Sequence, residues 1–109
     1  MEFVTLNNGV KMPVLGYGVY QVGPAETERC VLDAVDAGYR SIDTAQAYGN
    51  EEGVGNAIVK CGVPREELFL TTKVWITNAG YEKAKRSIED SLRKLRSEYI
   101  DLLLIHQPF

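Results

Sequence analysis

The chain has 109 residues, of which 45% are apolar and 25% charged, a composition typical of one small globular domain. Its formal net charge is −3 with acidic and basic residues mixed, so we expect no nucleic-acid partner, because phosphate binding needs a basic face. Apolar runs are too short to span a membrane, and no signal peptide is predicted. Cys30 and Cys61 lack metal-ligand spacing, which indicates reduced cysteines in a cytoplasmic protein.

The N-terminal segment predicts a β-hairpin ahead of the main fold. Two short β-prone runs flank Asn8 and Gly9, the dipeptide that best suits a tight hairpin turn. The short run VLGYGVY follows. A helix is then predicted over about residues 24–37, because Pro24 suits its first turn and Gly38 suits its end.

The rest of the chain alternates strands with helices. The segments YRSID, FLTTKVW and YIDLLLIH have the apolar and β-branched composition of strands. Between them we predict one helix over about 51–60, capped by Asn50, and another over about 79–95, beginning near Ala79. Helices between every pair of strands require parallel pairing, so the predicted order is a hairpin followed by β-α-β-α-β-α-β.

Polar side chains fall at the ends of the predicted strands. Asp43, Lys73 and His106 each end a strand, and Tyr48 lies in the loop after Asp43. Taken alone, each is more simply interpreted as structural. The aspartate would be a cap, the lysine a solvated strand end, the histidine a hydrogen-bonded structural residue and the tyrosine a packing aromatic residue. Because the carboxyl ends of parallel strands form one rim, where α/β proteins do their chemistry, the four together favour a functional site.

These residue types suit proton delivery to a carbonyl group. A tyrosine hydroxyl is a weak acid, and a neighbouring ammonium such as that of Lys73 stabilises the phenolate. Asp43 would pair with Lys73, while a neutral imidazole at His106 can donate a hydrogen bond that orients a substrate oxygen. Reduction also needs a hydride, which no side chain supplies, so a nicotinamide cofactor is implied.

The stretch GYGVYQVG is partly similar to a dinucleotide-binding glycine loop, in which Asp43 would contact the ribose. After Gly16 and Gly18 the next glycine is Gly23, which comes too late for that pattern. A close turn is the better interpretation. An unrelated doubly wound domain of the flavodoxin-like kind is disfavoured for the same reason.

The segment GYRSIDTAQAYGNEEGVG, residues 38–55, resembles the first signature of the aldo-keto reductases. LNNGVKMPVLGYGVY, LTTKVW and YIDLLLIH are also similar to that family, so the resemblance covers essentially the whole chain. It implies an α/β fold, the N-terminal half of a (β/α)8 TIM barrel whose bottom is closed by the hairpin. Because such a barrel typically needs about 250 residues, we expect 1–109 to be one portion of a single domain and to be inactive alone.

The resemblance also implies reversible, NADPH-dependent reduction of small aldehydes and ketones, with NADH as the alternative cofactor. Tyr48 would be the general acid, Lys73 and Asp43 its tuning pair, and His106 the substrate-orienting residue. Groups that bind the adenosine 2′-phosphate would come from the later half of the barrel. No metal is expected, and the complete enzyme would be a monomer.

The resemblance assigns binding roles as well. Residues near the cofactor would be Gly18, Val19, Tyr20 and Asp43, and residues contacting the substrate would be Tyr20, Tyr48, Trp75 and His106. Tyr20 and Gln107 stand where many members of the family carry Trp, which bears on substrate preference. Because four strands leave two unpaired sheet edges, a half-barrel module that associates with itself or with a second chain is the alternative function.

Overall fold

The predicted N-terminal hairpin is present. In the computed structural model, which describes residues 1–78 and 80–107, β1 (Phe3–Thr5) pairs antiparallel with β2 (Lys11–Pro13). Gly9 in the connecting turn has a φ of +87°, a left-handed conformation that glycine adopts without strain. The backbone N–H of Val14 donates to the carbonyl of Glu2 at 2.9 Å, so the hairpin lies at the amino end of the next strand.

Four parallel strands form the main sheet in chain order, as predicted. They are β3 (Gly16–Gly18), β4 (Ser41–Asp43), β5 (Phe69–Val74) and β6 (Leu102–Ile105). Each neighbouring pair is parallel, which brings the carboxyl ends of all four strands to one rim. At the β6 edge of the sheet, the side chain of Ile105 is 74% exposed.

Three helices separate the four strands of this sheet. They are α1 (Pro24–Asp36), α2 (Glu51–Lys60) and α3 (Tyr81–Leu95). The predicted bounds of α2 are confirmed and α1 ends one residue early, while the predicted start of α3 at Ala79 lies outside the described residues. No helix in the described part of the chain has the length and apolar character needed to cross a membrane.

The hydrophobic core lies between the helices and one face of the sheet. Ile42 of β4 pairs in register with Leu70 of β5, and both pack against helix residues such as Val54 and Leu95, which are fully buried. Successive side chains of a strand point to opposite faces. Asp43, the residue after Ile42, and Lys73, three residues after Leu70, therefore project from the face opposite the core.

Candidate active site

The parallel sheet brings the four predicted catalytic residues to one rim. Asp43 is the last residue of β4, Lys73 stands one residue before the end of β5, and His106 directly follows β6. Tyr48 ends a short 3₁₀ turn, Gln46–Tyr48, that follows β4. All four side chains therefore come from the carboxyl ends of strands or from the loops that leave them.

The ammonium group of Lys73 lies at the centre of this rim. It donates to both carboxylate oxygens of Asp43, at 2.9 and 3.0 Å, and to the carbonyl of Thr44 at 2.9 Å. It also lies 3.4 Å from the phenolic oxygen of Tyr48. The Lys73 side chain is only 13% exposed, whereas that of Asp43 is 42% exposed. A largely desolvated cation thus lies between a carboxylate and a phenol.

A cleft of about 500 Å³ opens beside Tyr48, and its lining residues are Tyr20, Gln21, Ala47, Tyr48, Trp75, His106 and Gln107. The ring centroid of Tyr48 lies 5.1 Å from that of Tyr20 and 6.0 Å from that of His106. Trp75 also packs against His106, with its ring centroid 5.3 Å from that of the imidazole. The four residues predicted to contact substrate therefore line the same cleft.

His106 has one ring nitrogen in the interior. Its Nδ1 is buried and has no hydrogen-bond partner among the described residues. An N–H at that position would have no acceptor, and a buried donor without an acceptor is costly. Among the contacts of the described residues, the neutral tautomer with its proton on Nε2 avoids that cost and would make Nε2 the donor of the ring.

The predicted cofactor residues lie at the end of β3, next to Asp43. A Cβ at Gly18 would lie 3.8 Å from Oδ2 of Asp43, an ordinary contact, so crowding within the chain does not require this glycine. The missing side chain leaves the exposed side of the carboxylate accessible, which fits a ribose hydroxyl there. Val19 is fully buried, and its backbone N–H and carbonyl bond to Asp43 and Asn50 at 3.1 and 2.9 Å, so it offers no free surface to a ligand, whereas Tyr20 is 66% exposed. The residues of this chain fit one end of a nicotinamide nucleotide.

Two carboxamides beside Tyr48 make contacts that the sequence pattern does not predict. Asn50 occupies the predicted cap position of α2, but its side chain makes no capping hydrogen bond and instead bonds to the loop after β3. Gln46 bonds to the loop after β5. The sequence feature that could have pointed to these two residues is their position, since each lies two residues from Tyr48 in the stretch QAYGN.

A metal-assisted site was not expected from the sequence. The part of the chain that the structure describes contains no group of three or more His, Cys, Asp or Glu side chains that could hold a metal ion. Cys30 and Cys61 are both free and partly buried. The rim and its cleft thus carry the Asp43 carboxylate, the Lys73 amine, the His106 imidazole and the phenols of Tyr20 and Tyr48.

Comparison with known proteins identifies the family. The family model described as Aldo/keto reductase family matches residues 14–109, a span that includes all four rim residues. The chain belongs to the aldo/keto reductase family. It is 52% identical over 105 residues to an aldo-keto reductase of Mycobacterium avium (strain 104), a match that covers 96% of this chain and 37% of that protein.

Two further comparisons agree with this family. The chain is 55% identical over 106 residues to a 9,11-endoperoxide prostaglandin H2 reductase of Trypanosoma cruzi (strain CL Brener), covering 96% of this chain and 38% of that protein. It superposes on the crystal structure of an aldo/keto reductase from Brucella melitensis with a TM-score of 0.94 and 50% identity, over 96% of this chain and 40% of that chain. The chain thus spans about two fifths of the length of these relatives. The predicted fold class, the N-terminal half of a (β/α)8 barrel, is confirmed.

Proposed function

We propose that this chain supplies the catalytic residues of an NADPH-dependent aldo-keto reductase, which reversibly reduces small aldehydes and ketones to alcohols. The observation that carries the proposal is the position of the Lys73 ammonium, 2.9 Å from the Asp43 carboxylate and 3.4 Å from the Tyr48 hydroxyl. Membership of the aldo/keto reductase family supports a carbonyl group as the reacting function.

Tyr48 is the proton donor in this proposal. When the carbonyl carbon receives a hydride, negative charge develops on the carbonyl oxygen, which takes the phenolic proton of Tyr48. The phenolate that remains faces the Lys73 ammonium, whose position is fixed by both oxygens of Asp43. In the reverse direction the phenolate accepts the proton of the alcohol. Bound NADPH would supply the hydride, which no side chain of this chain can donate.

His106 orients the substrate in this proposal. With its proton on Nε2, the imidazole can donate a hydrogen bond to the same carbonyl oxygen that Tyr48 protonates. The rings of Tyr20 and Trp75 would pack against the apolar part of the substrate, because both line the cleft beside Tyr48. The substrate would therefore be a small molecule with its carbonyl between Tyr48 and His106.

The remaining parts of the proposal concern the whole protein. Gly18, Tyr20 and Asp43 would contact the nicotinamide and its ribose, the buried Val19 would hold this loop in place, and NADH is the alternative to NADPH. Residues 1–109 would be the N-terminal portion of a single barrel domain in a monomeric, cytoplasmic enzyme that binds neither nucleic acid nor membranes. Because the contacts to the rest of the cofactor would come from the later half of the barrel, we expect the 109-residue chain alone to be inactive.

A hybrid barrel tests this proposal. It consists of this chain joined to the residues that follow the matched segment in the Brucella melitensis aldo/keto reductase, and it is assayed for aldehyde-dependent NADPH oxidation. We expect the hybrid barrel to be active, its Tyr48→Phe variant to lose about 100-fold or more in kcat, and the 109-residue chain to be inactive. The matched control is Tyr99→Phe, because Tyr99 contacts Arg65 through its ring and lies away from the cleft.

Two results would contradict the proposal. One is a Tyr48→Phe hybrid barrel that turns over aldehydes as fast as the parent. The other is a folded hybrid barrel that binds NADPH but reduces none of a panel of simple aldehydes and ketones. Activity of the 109-residue chain alone would refute only the statement that the later half is required.

The edge strand β6 favours a second candidate, a half-barrel module that associates with itself or with another chain. Leu103 and Leu104 are each 40% exposed and Ile105 is 74% exposed, and such an edge can accept a further strand. Sedimentation of the 109-residue chain tests the self-association that this second candidate predicts. Self-association that Ile105→Lys abolishes supports the module, and a monomer at all concentrations excludes self-association.

A further inference from the structure

In the sequence, Tyr48 is flanked by Gln46 and Asn50, whose carboxamide side chains connect its turn to both neighbouring loops of the rim. We propose that Asn50 and Gln46 are positioning residues for the reaction. Asn50 holds the loop after β3 against the Tyr48 turn, and Gln46 holds that turn against the end of β5, which carries Lys73 and Trp75. This inference rests on the proposed function, because it assigns both residues to the same site.

Asn50 connects three segments from a fully buried position. Its side chain is 1% exposed, and its Nδ2 donates to the carbonyls of Val19 at 2.9 Å and Val22 at 3.1 Å. Its Oδ1 accepts from the hydroxyl of Thr44 at 2.7 Å, and the carbonyl of Thr44 accepts in turn from Lys73. One side chain thus links the proposed cofactor loop to the residue that helps to hold the Lys73 ammonium.

Gln46 makes the corresponding connection on the other side of Tyr48. Its Oε1 accepts from the backbone N–H of Trp75 and from Nδ2 of Asn78, both at 2.9 Å. Its Nε2 donates to the hydroxyl of Ser91 on α3 at 3.2 Å, and Ser91 is 1% exposed. The turn that carries Tyr48 is therefore bonded to the strand end that carries the cleft wall, and to the helix behind it.

Positions 50 and 46 differ in the hydrogen-bonding group that their surroundings require. At Asn50 the group facing two carbonyl oxygens must be a donor, so a carboxylate there would repel both carbonyls. At Gln46 the essential atom is an acceptor, and the Ser91 hydroxyl can rotate to donate instead. Glu can therefore replace Gln46 without losing a hydrogen bond, whereas Asp cannot replace Asn50.

These requirements predict different kinetic effects in the hybrid barrel. Asn50→Asp removes two hydrogen bonds to the loop after β3 and displaces that loop, so the KM for NADPH should rise at least about 10-fold, the factor that corresponds to the loss of one buried hydrogen bond. Gln46→Leu frees the Tyr48 turn from β5, so kcat should fall about 10-fold while the KM for NADPH stays unchanged. Gln46→Glu should restore kcat to within about threefold of the parent.

Asn56→Asp is the matched control for Asn50→Asp. Asn56 lies on α2, the helix that Asn50 precedes, and its Oδ1 accepts from Arg96 at 3.3 Å, so the same change of charge keeps this acceptor. We expect its kinetic constants to stay within about twofold of the parent. A purely structural role would lower the stability of the variants and leave the KM and kcat of the folded fraction unchanged, and that result would overturn the inference.

Hydrogen exchange at the Trp75 amide gives a readout that does not depend on activity. Because this N–H donates to Gln46 Oε1, its exchange should be faster in Gln46→Leu, and should match the parent in Gln46→Glu and Asn50→Asp. Equal protection in all variants would refute the role of Gln46, even if the hybrid barrel reduced no carbonyl and the proposed function failed. An active hybrid barrel in which Asn50→Asp behaves like Asn56→Asp would refute the role of Asn50 and leave the proposed function intact.

Discussion

The ammonium of Lys73 lies 3.4 Å from the phenolic oxygen of Tyr48 and 5.0 Å from the centroid of its ring. Lys73 lies near the end of β5, and Tyr48 lies in the 3₁₀ turn that follows the neighbouring parallel strand β4, so both are at the same rim. Because Lys73 is only 13% exposed, water screens its charge less than at the surface. The cation therefore acts most strongly on the phenol beside it and on the Asp43 carboxylate that holds it.

Replacing Lys73 with Met should remove most of the activity of the hybrid barrel. Methionine has a similar length but no charge, so the Tyr48 phenolate would lose its counter-ion and Asp43 would lose its partner. We expect kcat to fall about 100-fold or more in a steady-state assay, because a positioned acid and its support contribute about that factor. Lys60→Met is the control, since the Lys60 side chain is 58% exposed and pairs with Glu28 at the surface. A Lys73→Met variant with the parent kcat would contradict a role in proton transfer.

The position of the rim residues could be predicted from the sequence, because it depends on chain order alone. Once helices separate successive strands, parallel pairing brings the ends of all strands together, and Asp43, Lys73 and His106 stand at those ends. Tyr48 could be assigned to the same rim because a loop of five residues cannot carry it far from Asp43. The topology rule therefore located the site without knowledge of any side-chain contact.

The contacts of Asn50 could not be predicted in the same way. An Asn before a helix predicts a cap, a local interaction, whereas this side chain bonds to carbonyls 28 and 31 residues earlier in the chain. The hydrogen-bond partners of Asn50 depend on how closely the loop after β3 approaches α2. Val19 is similar, since its burial depends on packing across the sheet and not on its neighbours in sequence.

Asp101→Asn should destabilise the fold, although Asp101 lies away from the cleft. Its Oδ2 accepts from the Arg65 guanidinium at 2.7 Å and from the backbone N–H of Leu70 at 2.8 Å, and both charged side chains are less than 20% exposed. An amide can place its oxygen at this position and keep both hydrogen bonds, but it carries no charge, so the largely buried Arg65 guanidinium would lose its counter-ion and the free energy of unfolding in urea should fall by about 2–4 kcal/mol.

The matched control for Asp101→Asn is Asp33→Asn. Asp33 pairs with Arg29 on the surface of α1, where both side chains are at least 70% exposed. Solvent screens such a pair, so this substitution should change the free energy of unfolding by no more than about 0.5 kcal/mol. Equal effects of the two substitutions would show that the Arg65–Asp101 pair contributes no more than a surface pair.

The stability of the chain should fall in alkaline solution, partly because of Tyr17. Burial, followed by the neighbouring Cys30 thiol, raises the pKa of Tyr17 above its ordinary value of 10.0. Above about pH 10 the unfolded chain loses this proton while the folded chain keeps it, so the free energy of unfolding decreases as pH rises. Tyr17→Phe keeps the ring that packs on Tyr39 and should reduce this slope in urea unfolding at several pH values. Tyr81→Phe, at a side chain that is 79% exposed, should leave the slope as in the parent.

Gly55→Ala should destabilise the packing of α2 against α3. A Cβ at Gly55 would overlap the backbone carbonyl of Lys94 and lie 2.7 Å from the carbonyl carbon of Leu95, so one helix must move away from the other. Alanine favours a helix over glycine by about 1 kcal/mol, but overpacking against rigid backbone costs more. We expect the free energy of unfolding to fall by about 2 kcal/mol or more, measured in urea. The control is Val59→Ala in the same helix, where the side chain is 54% exposed and the change should stay within about 0.5 kcal/mol. A Gly55→Ala variant as stable as Val59→Ala would mean that α3 can shift without cost.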